Sequence, residues 1–80
     1  MNAVTVRVNF YGAFKKYGDH TLLTLPAQST VENLKQLLEL HLNDRLVRDS
    51  AIACNDTIVN PLYQVQSGEI VSILPPVCGG

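Results

Sequence analysis

Val4, Val6, Val8 and Phe10 alternate with Thr5, Arg7 and Asn9, a period of two that predicts a strand with one face in a core and the other in water. Between Gly12 and Gly18 the alternation stops. Phe14 and Tyr17 stand three apart there, so one helical turn would fold both rings onto the body and leave Lys15 and Lys16 wet; a loop fits equally well. Thr21 to Leu25 is rich in β-branched and apolar residues, lies within hairpin range of the first strand, and is ended by Pro26, which predicts an edge strand.

The period then changes. Val31, Leu34, Leu37, Leu38 and Leu42 recur at spacings of three and four, while Glu32, Lys35, Gln36 and Glu39 take the other side, which predicts an amphipathic helix ending near Asn43. Ser29 with Glu32 three residues later makes a capping box, with Thr30 as the alternative cap. Lys35 and Glu39 form an i,i+4 pair in the weaker orientation. The stripe needs a sheet face to cover, and the even-numbered residues of the first strand offer one.

Ala51-Ile52-Ala53-Cys54 is a short apolar run, Asn55-Asp56 suits a tight reversal, and Thr57-Ile58-Val59 returns. After Pro61, Leu62 is expected to plug the core from a loop. Gln66-Ser67-Gly68-Glu69 reads as a turn in which Gly68 takes a positive φ. Ile70 to Leu74 is the last strand, apolar on both faces, as expected of a central strand or of one with a face kept for a partner. The order strand, strand, helix, hairpin, strand predicts an α+β fold with a mixed sheet packed against one main helix. A β-grasp arrangement fits, with first and last strands side by side in parallel. Residues 1–74 are expected to form a single domain and residues 75–80 an extended functional tail.

Eighty residues with a formal net charge of -1 allow one small core and no deep pocket. Charged residues are scattered singly, so no basic stripe argues for nucleic acid. Apolar runs are far too short for a membrane span, and the N-terminus lacks the pattern of a secretory signal. Cys54 and Cys78 lack metal-type spacing, which suits reduced thiols in a cytoplasmic protein.

The body offers little chemistry. Asp44, Asp49 and Asp56 fall among expected loop residues rather than as a convergent carboxylate pair. His41, near the helix end, complements the helix dipole, and neither it nor His20 has neighbours at ligand spacing, so no metal is expected. Cys54 reads as a buried thiol acting as a small hydrophobe. No histidine is placed to activate Cys78, which reads as an exposed thiol of ordinary pKa. Gly79-Gly80 follows no phosphate-loop pattern.

What remains is the end of the chain. Pro75 holds Leu74 extended, and Pro76 cannot donate to a ladder, so the strand stops and the tail leaves stiffly. Glycines at 79 and 80 let a terminal carboxylate pass a narrow slot. The six tail residues span roughly 20 Å when extended. A carboxylate must be activated, for instance as a mixed anhydride with AMP, before sulfur replaces an oxygen, so catalysis would belong to a partner. A terminus that is merely Gly-rich and frayed is the alternative.

Ile70-Val71-Ser72-Ile73-Leu74-Pro75-Pro76-Val77-Cys78-Gly79-Gly80 resembles the end of the small, sulfur-carrying subunit of molybdopterin synthase. The likeness extends over most of the chain, through Ser29-Thr30-Val31 at the helix start, Asn55 in the hairpin, and Pro61-Leu62 before Gly68. It implies a ubiquitin-like β-grasp carrier that is not itself the catalyst. Gly80 would be adenylated by an ATP-dependent activating enzyme, receive sulfur from a donor system, and carry it covalently as a thiocarboxylate, with no permanently bound cofactor. The tail would enter the large catalytic subunit and deliver sulfur to cyclic pyranopterin monophosphate, in a heterotetramer of two small subunits at the ends of a large-subunit dimer. Gly79 and Cys78 would thread, Val77, Pro76 and Pro75 would orient the tail, and Phe10, Ile73 and Leu74 would give apolar support or docking near its base. The departures are Cys78, where the family more often has Ser or Thr, and residues 43–50, less acidic and less regular than the family pattern. The alternatives are the sulfur carrier of thiamine thiazole synthesis, which is usually shorter and lacks the double proline, a ubiquitin-like modifier joined to lysine through Gly80, and a plain interaction module.

Overall fold

The computed structural model describes residues 3–76. Five strands form one mixed sheet in the order β2-β1-β5-β3-β4: β1 is Val4–Phe10, β2 His20–Leu25, β3 Ala51–Cys54, β4 Thr57–Val59 and β5 Ile70–Leu74. β1 and β2 pair antiparallel with Val4 opposite Leu25, while β1 and β5 run parallel with Phe10 opposite Ile73. β3 pairs antiparallel with both β4 and β5. One helix, α1 (Val31–Leu42), covers one sheet face, and 3-10 turns occupy Gly12–Tyr17 and Arg45–Asp49. This is the α+β, β-grasp architecture that the order of periodicities implies, with the parallel central pair in place.

The core forms where the two periodicities meet. Val6, Val8 and Phe10 from β1, Leu23 and Leu25 from β2, Ile52 and Cys54 from β3, and Val71 and Ile73 from β5 close against Val31, Leu34 and Leu38 of α1. Each such large apolar side chain contributes about 1.5–3 kcal/mol relative to an exposed one. Leu42 packs at the edge of this cluster, but Leu37 is left exposed, because its angle on the helix carries it off the sheet side.

The helix cap is Thr30, the alternative to Ser29. Asn33 N–H donates to Thr30 Oγ1 at 3.3 Å and Thr30 N–H donates to Asn33 Oδ1 at 2.9 Å, so Asn33 fills the place expected of Glu32. Ser29 is buried, and its hydroxyl donates to the Pro26 carbonyl at 2.6 Å instead. The next free N–H groups, of Val31 and Glu32, donate to the carbonyls of Tyr63 and Pro61, which stitches the long loop to the helix start. Asn43 closes the helix in the left-handed conformation that asparagine tolerates.

Leu62 and the Lys35–Glu39 pair depart from expectation. Leu62 does not plug the core: it is 80% exposed, and Val65, three residues on, is buried in its stead. The reason lies in the loop's anchoring, since Val65 N–H donates to Ser29 O at 2.9 Å and draws that residue inward. Lys35 and Glu39 do not pair; Arg48 Nε donates to both Glu39 oxygens at 2.8 and 2.9 Å, and Lys35 Nζ donates to Arg48 O at 3.0 Å. The single Nε–H is shared between the two carboxylate oxygens, a charge-assisted contact that fixes the guanidinium against Glu39. The pairing holds the Glu39 carboxyl below its ordinary range.

Candidate functional site

β5 is the element that carries the tail. As a central strand it has both backbone edges occupied, by β1 and by β3. Val71 and Ile73 point into the core at 0% exposure, while Ile70, Ser72 and Leu74 take the opposite face. The doubly apolar pattern therefore resolves into a buried face plus an open one that still carries Ile70 and Leu74. By register, Leu22 and Ile70 flank Arg7 on that open face, and Ile58 lies beyond Ala53 and Ser72. Leu22, Ile58 and Ile70 are each more than half exposed.

Pro75 and Pro76 follow β5 directly and are half-buried, with no helix or strand beyond Leu74 among the described residues. The expectations for Val77, Cys78, Gly79 and Gly80 lie outside the described residues. Pro75 sits against Gly12, the first residue of the 3-10 turn after β1; a Cβ built on Gly12 would stand 2.8 Å from Pro75 Cγ. Gly12 also holds φ +56, in the left-handed region that favours glycine.

The turn beneath Pro75 is tied to the body at several points. Phe14 is wholly buried, as its spacing from Tyr17 predicts for a helical turn. Tyr17 meets Phe10 edge-on with ring centroids 6.1 Å apart, and its hydroxyl donates to Asp44 Oδ2 at 2.6 Å. Asp44 also caps the second 3-10 turn by accepting from Leu46 N–H at 3.0 Å. These bonds, the Tyr17 hydroxyl first and then the Leu46 N–H, together with Lys16 nearby, hold the Asp44 carboxyl below its ordinary range, while the hydrogen bond to Asp44, burial and the Asp44 charge raise the Tyr17 phenol.

Of the docking candidates, only Leu74 is available. Phe10 and Ile73 are 1% and 0% exposed, cross-strand neighbours in the parallel pair, so they belong to the core and present no surface for docking. Leu74 is half-buried on the open face opposite Ala51.

At the other end of β5, Glu69 is a hub that the sequence reading took only as part of a turn. Its carboxylate accepts from Tyr63 OH at 2.8 Å, from Gln66 N–H at 2.6 Å and from Asn55 Nδ2 at 3.4 Å, so one buried group gathers the long loop, the β3–β4 reversal and the start of β5. Asn55 and Asp56 both adopt positive φ, the geometry of a tight hairpin turn. Cys54 lies close by, buried, with its thiol pushed up to about 11 by burial and then by the Glu69 charge. Asp49 and Asp56 stay in turns apart from one another, and among the described residues no three His, Cys, Asp or Glu side chains converge on a common point.

Gly12 was missed from sequence. The signal available was a glycine directly after a strand and directly before an aromatic turn, a pattern with many other causes.

Comparison with known proteins places this geometry. No protein of curated function matches the chain. Among solved structures, a chain in the complex of subunits 1 and 2 of the molybdopterin-converting factor of Helicobacter pylori is 27% identical, with 96% of this chain and 100% of that one covered and a TM-score of 0.63. A Pyrococcus furiosus protein assigned as subunit 1 of molybdopterin converting factor is 22% identical over 92% of this chain and 99% of its own, with a TM-score of 0.77. Small archaeal modifier protein 1 of Haloferax volcanii shares 12% identity over 92% of this chain and 99% of its own, yet superposes with a TM-score of 0.81. The last two likenesses speak for the fold. The ThiS family profile matches residues 8–80, from the middle of β1 through the final glycine, and the chain accordingly belongs to the ThiS family of small, ubiquitin-like sulfur carriers.

Proposed function

We propose that this protein is the cytoplasmic sulfur carrier of molybdenum cofactor biosynthesis, the small subunit of molybdopterin synthase. Its Gly80 carboxylate is adenylated by an activating enzyme using ATP, AMP is displaced as sulfur arrives from a donor system, and the resulting thiocarboxylate delivers sulfur to cyclic pyranopterin monophosphate in the large catalytic subunit. The observation that carries the reading is the run from β5 into Pro75-Pro76: a strand locked on both edges ends at two residues that cannot extend a ladder, four residues before Gly80. Four residues reach at most about 14 Å, enough to place a terminal group in a partner's cleft and too few to form a lobe of their own. The likeness to one chain of a two-subunit molybdopterin-converting factor supports a large-subunit partner. Leu74, Ile70 and Ile58 on the open sheet face are suited to dock beside the tail.

The same family match favours a second reading, the carrier for thiamine thiazole synthesis, which uses the same activated glycine; the double proline weighs toward molybdopterin. One experiment separates them. The mature protein, its intact mass first checked for a free carboxylate at Gly80, is incubated with the activating enzyme, ATP and a sulfur donor. A gain of about 16 Da, oxygen exchanged for sulfur as the reactivity of an activated acyl group allows, marks the thiocarboxylate. The loaded carrier is then given either the large subunit with cyclic pyranopterin monophosphate or the thiazole-forming enzyme with its substrates. Turnover only in the second arm sinks the molybdopterin assignment, and no mass gain in the first step sinks the carrier mechanism.

A further inference from the structure

We infer that Gly12 is a positioning residue for the tail: the 3-10 turn it heads is a fixed platform, and its bare Cα is the seat on which the Pro75 ring rests. The seat sets the direction in which the chain leaves the body at Pro76. This deepens the carrier reading above and rests on it for its functional meaning, although the geometry stands alone.

Three observations carry it. A Cβ on Gly12 would lie 2.8 Å from Pro75 Cγ, closer than real Cβ atoms approach a carbon, and in ordinary contact with Cδ at 3.5 Å. The neighbour that must yield is Cγ of a five-membered ring closed onto the tail backbone; it has a change of ring pucker but no free side-chain rotation, so relief beyond that small shift has to come from the backbone at residue 75. The platform under the ring cannot readily give way instead. Phe14 is wholly buried, and Phe14 N–H donates to Tyr11 O at 3.0 Å; Tyr17 reaches Asp44 at 2.6 Å from the far end of the turn. At the other side Pro75 follows Leu74, whose partner Ala51 in β3 holds the end of the strand. Pro75 is thus clamped between a strand end and a turn, and a side chain at residue 12 displaces Pro75 and with it the direction of the backbone into Pro76.

A matched control exists in the same molecule. Gly68 also holds a positive φ, +84, but has open space where a Cβ would go. Asparagine tolerates the left-handed region better than other side chains, so Gly12→Asn and Gly68→Asn both keep the backbone geometry accessible, and only the first crowds Pro75.

The test attaches a nitroxide to Cys78 of the full-length chain and maps the paramagnetic broadening of backbone amides across the body. The expected result is a changed pattern of broadened amides in Gly12→Asn and an unchanged one in Gly68→Asn. Pro75→Ala, which removes the ring and leaves Gly12 as it is, is expected to spread the broadening over more of the body and serves if Gly12→Asn does not fold. In sulfur transfer from the unlabelled thiocarboxylate form, Gly12→Asn is expected to lose on the order of 10²-fold in kcat/KM, the cost of about 1 Å of misplacement at a reacting centre, with the loss in kcat rather than KM. Rescue by Gly12→Asn combined with Pro75→Gly is expected to be partial. Identical broadening in the wild type, Gly12→Asn and Pro75→Ala overturns the inference. Failure of the carrier reading itself shows separately, as a wild type that gains no sulfur while its broadening pattern still responds to residue 12.

Discussion

Asp44 accepts hydrogen bonds from the Tyr17 hydroxyl and the Leu46 N–H, with the Lys16 ammonium 3.8 Å away. All three favour the ionised carboxylate, so its pKa falls below that of an unfolded chain, about 3.9. A depressed carboxylate contributes stability that is present above the unfolded pKa and lost as pH falls through the folded one. Asp44→Asn is therefore expected to lower the urea midpoint at pH 7 and to flatten its decline below pH 4; equal acid sensitivity in both proteins would count against the role assigned to Asp44. The thiols make a second contrast at this scale. Burial and the Glu69 charge raise Cys54 to about 11, so at pH 8 it is almost wholly protonated. Iodoacetamide is expected to modify Cys54 in native protein far more slowly than in urea, and peptide mapping of the labelled chain reads the difference.

At the scale of elements, the helix start and the long loop are one structure. Thr30 and Asn33 cap each other while the carbonyls of Pro61 and Tyr63 take the next two N–H groups. Asn33→Ala is expected to cost about 1 kcal/mol in equilibrium unfolding, whereas Glu32→Ala, which removes no cap bond, stays within about 0.5 kcal/mol. The same loop separates Leu62 from Val65. Trimming Val65 to alanine empties core volume and is expected to cost about 2 kcal/mol, while Leu62→Ala, on a residue 80% exposed, is expected to be nearly neutral. Reversed costs would mean that the loop is threaded differently. The helix and the β1–β2 hairpin are legible in the sequence because their periods are local: 3.6 for Val31, Leu34 and Leu38, and two for Val4 to Phe10. The choice between Leu62 and Val65 is not, since it depends on where Ser29 stands when the loop passes it.

Across the whole molecule, the body and the tail are separate in what they contribute. Among the described residues the buried cluster runs from Val6 to Ile73 and includes neither Pro75 nor Pro76. Removing Gly80 is accordingly expected to leave the thermal midpoint unchanged and to abolish thiocarboxylate formation; a truncated chain that still accepts sulfur would remove Gly80 from the mechanism. Phe14→Ala tests the opposite dependence. Loss of a fully buried ring is expected to cost about 3–5 kcal/mol and to loosen the turn beneath Pro75, lowering stability and sulfur transfer together.

The sequence by itself determined the kinds of elements, their order and the stop of the last strand at Pro75-Pro76, because hydrophobic period, proline and glycine act on their immediate neighbours. Tertiary structure alone decided which face of β5 is closed, that Phe10 and Ile73 lie side by side in the core, that Arg48 rather than Lys35 holds Glu39, that Glu69 gathers three segments, and that Gly12 lies under Pro75. Each of these joins residues distant along the chain, and the distance between them is set only once the sheet has brought its first and last strands side by side.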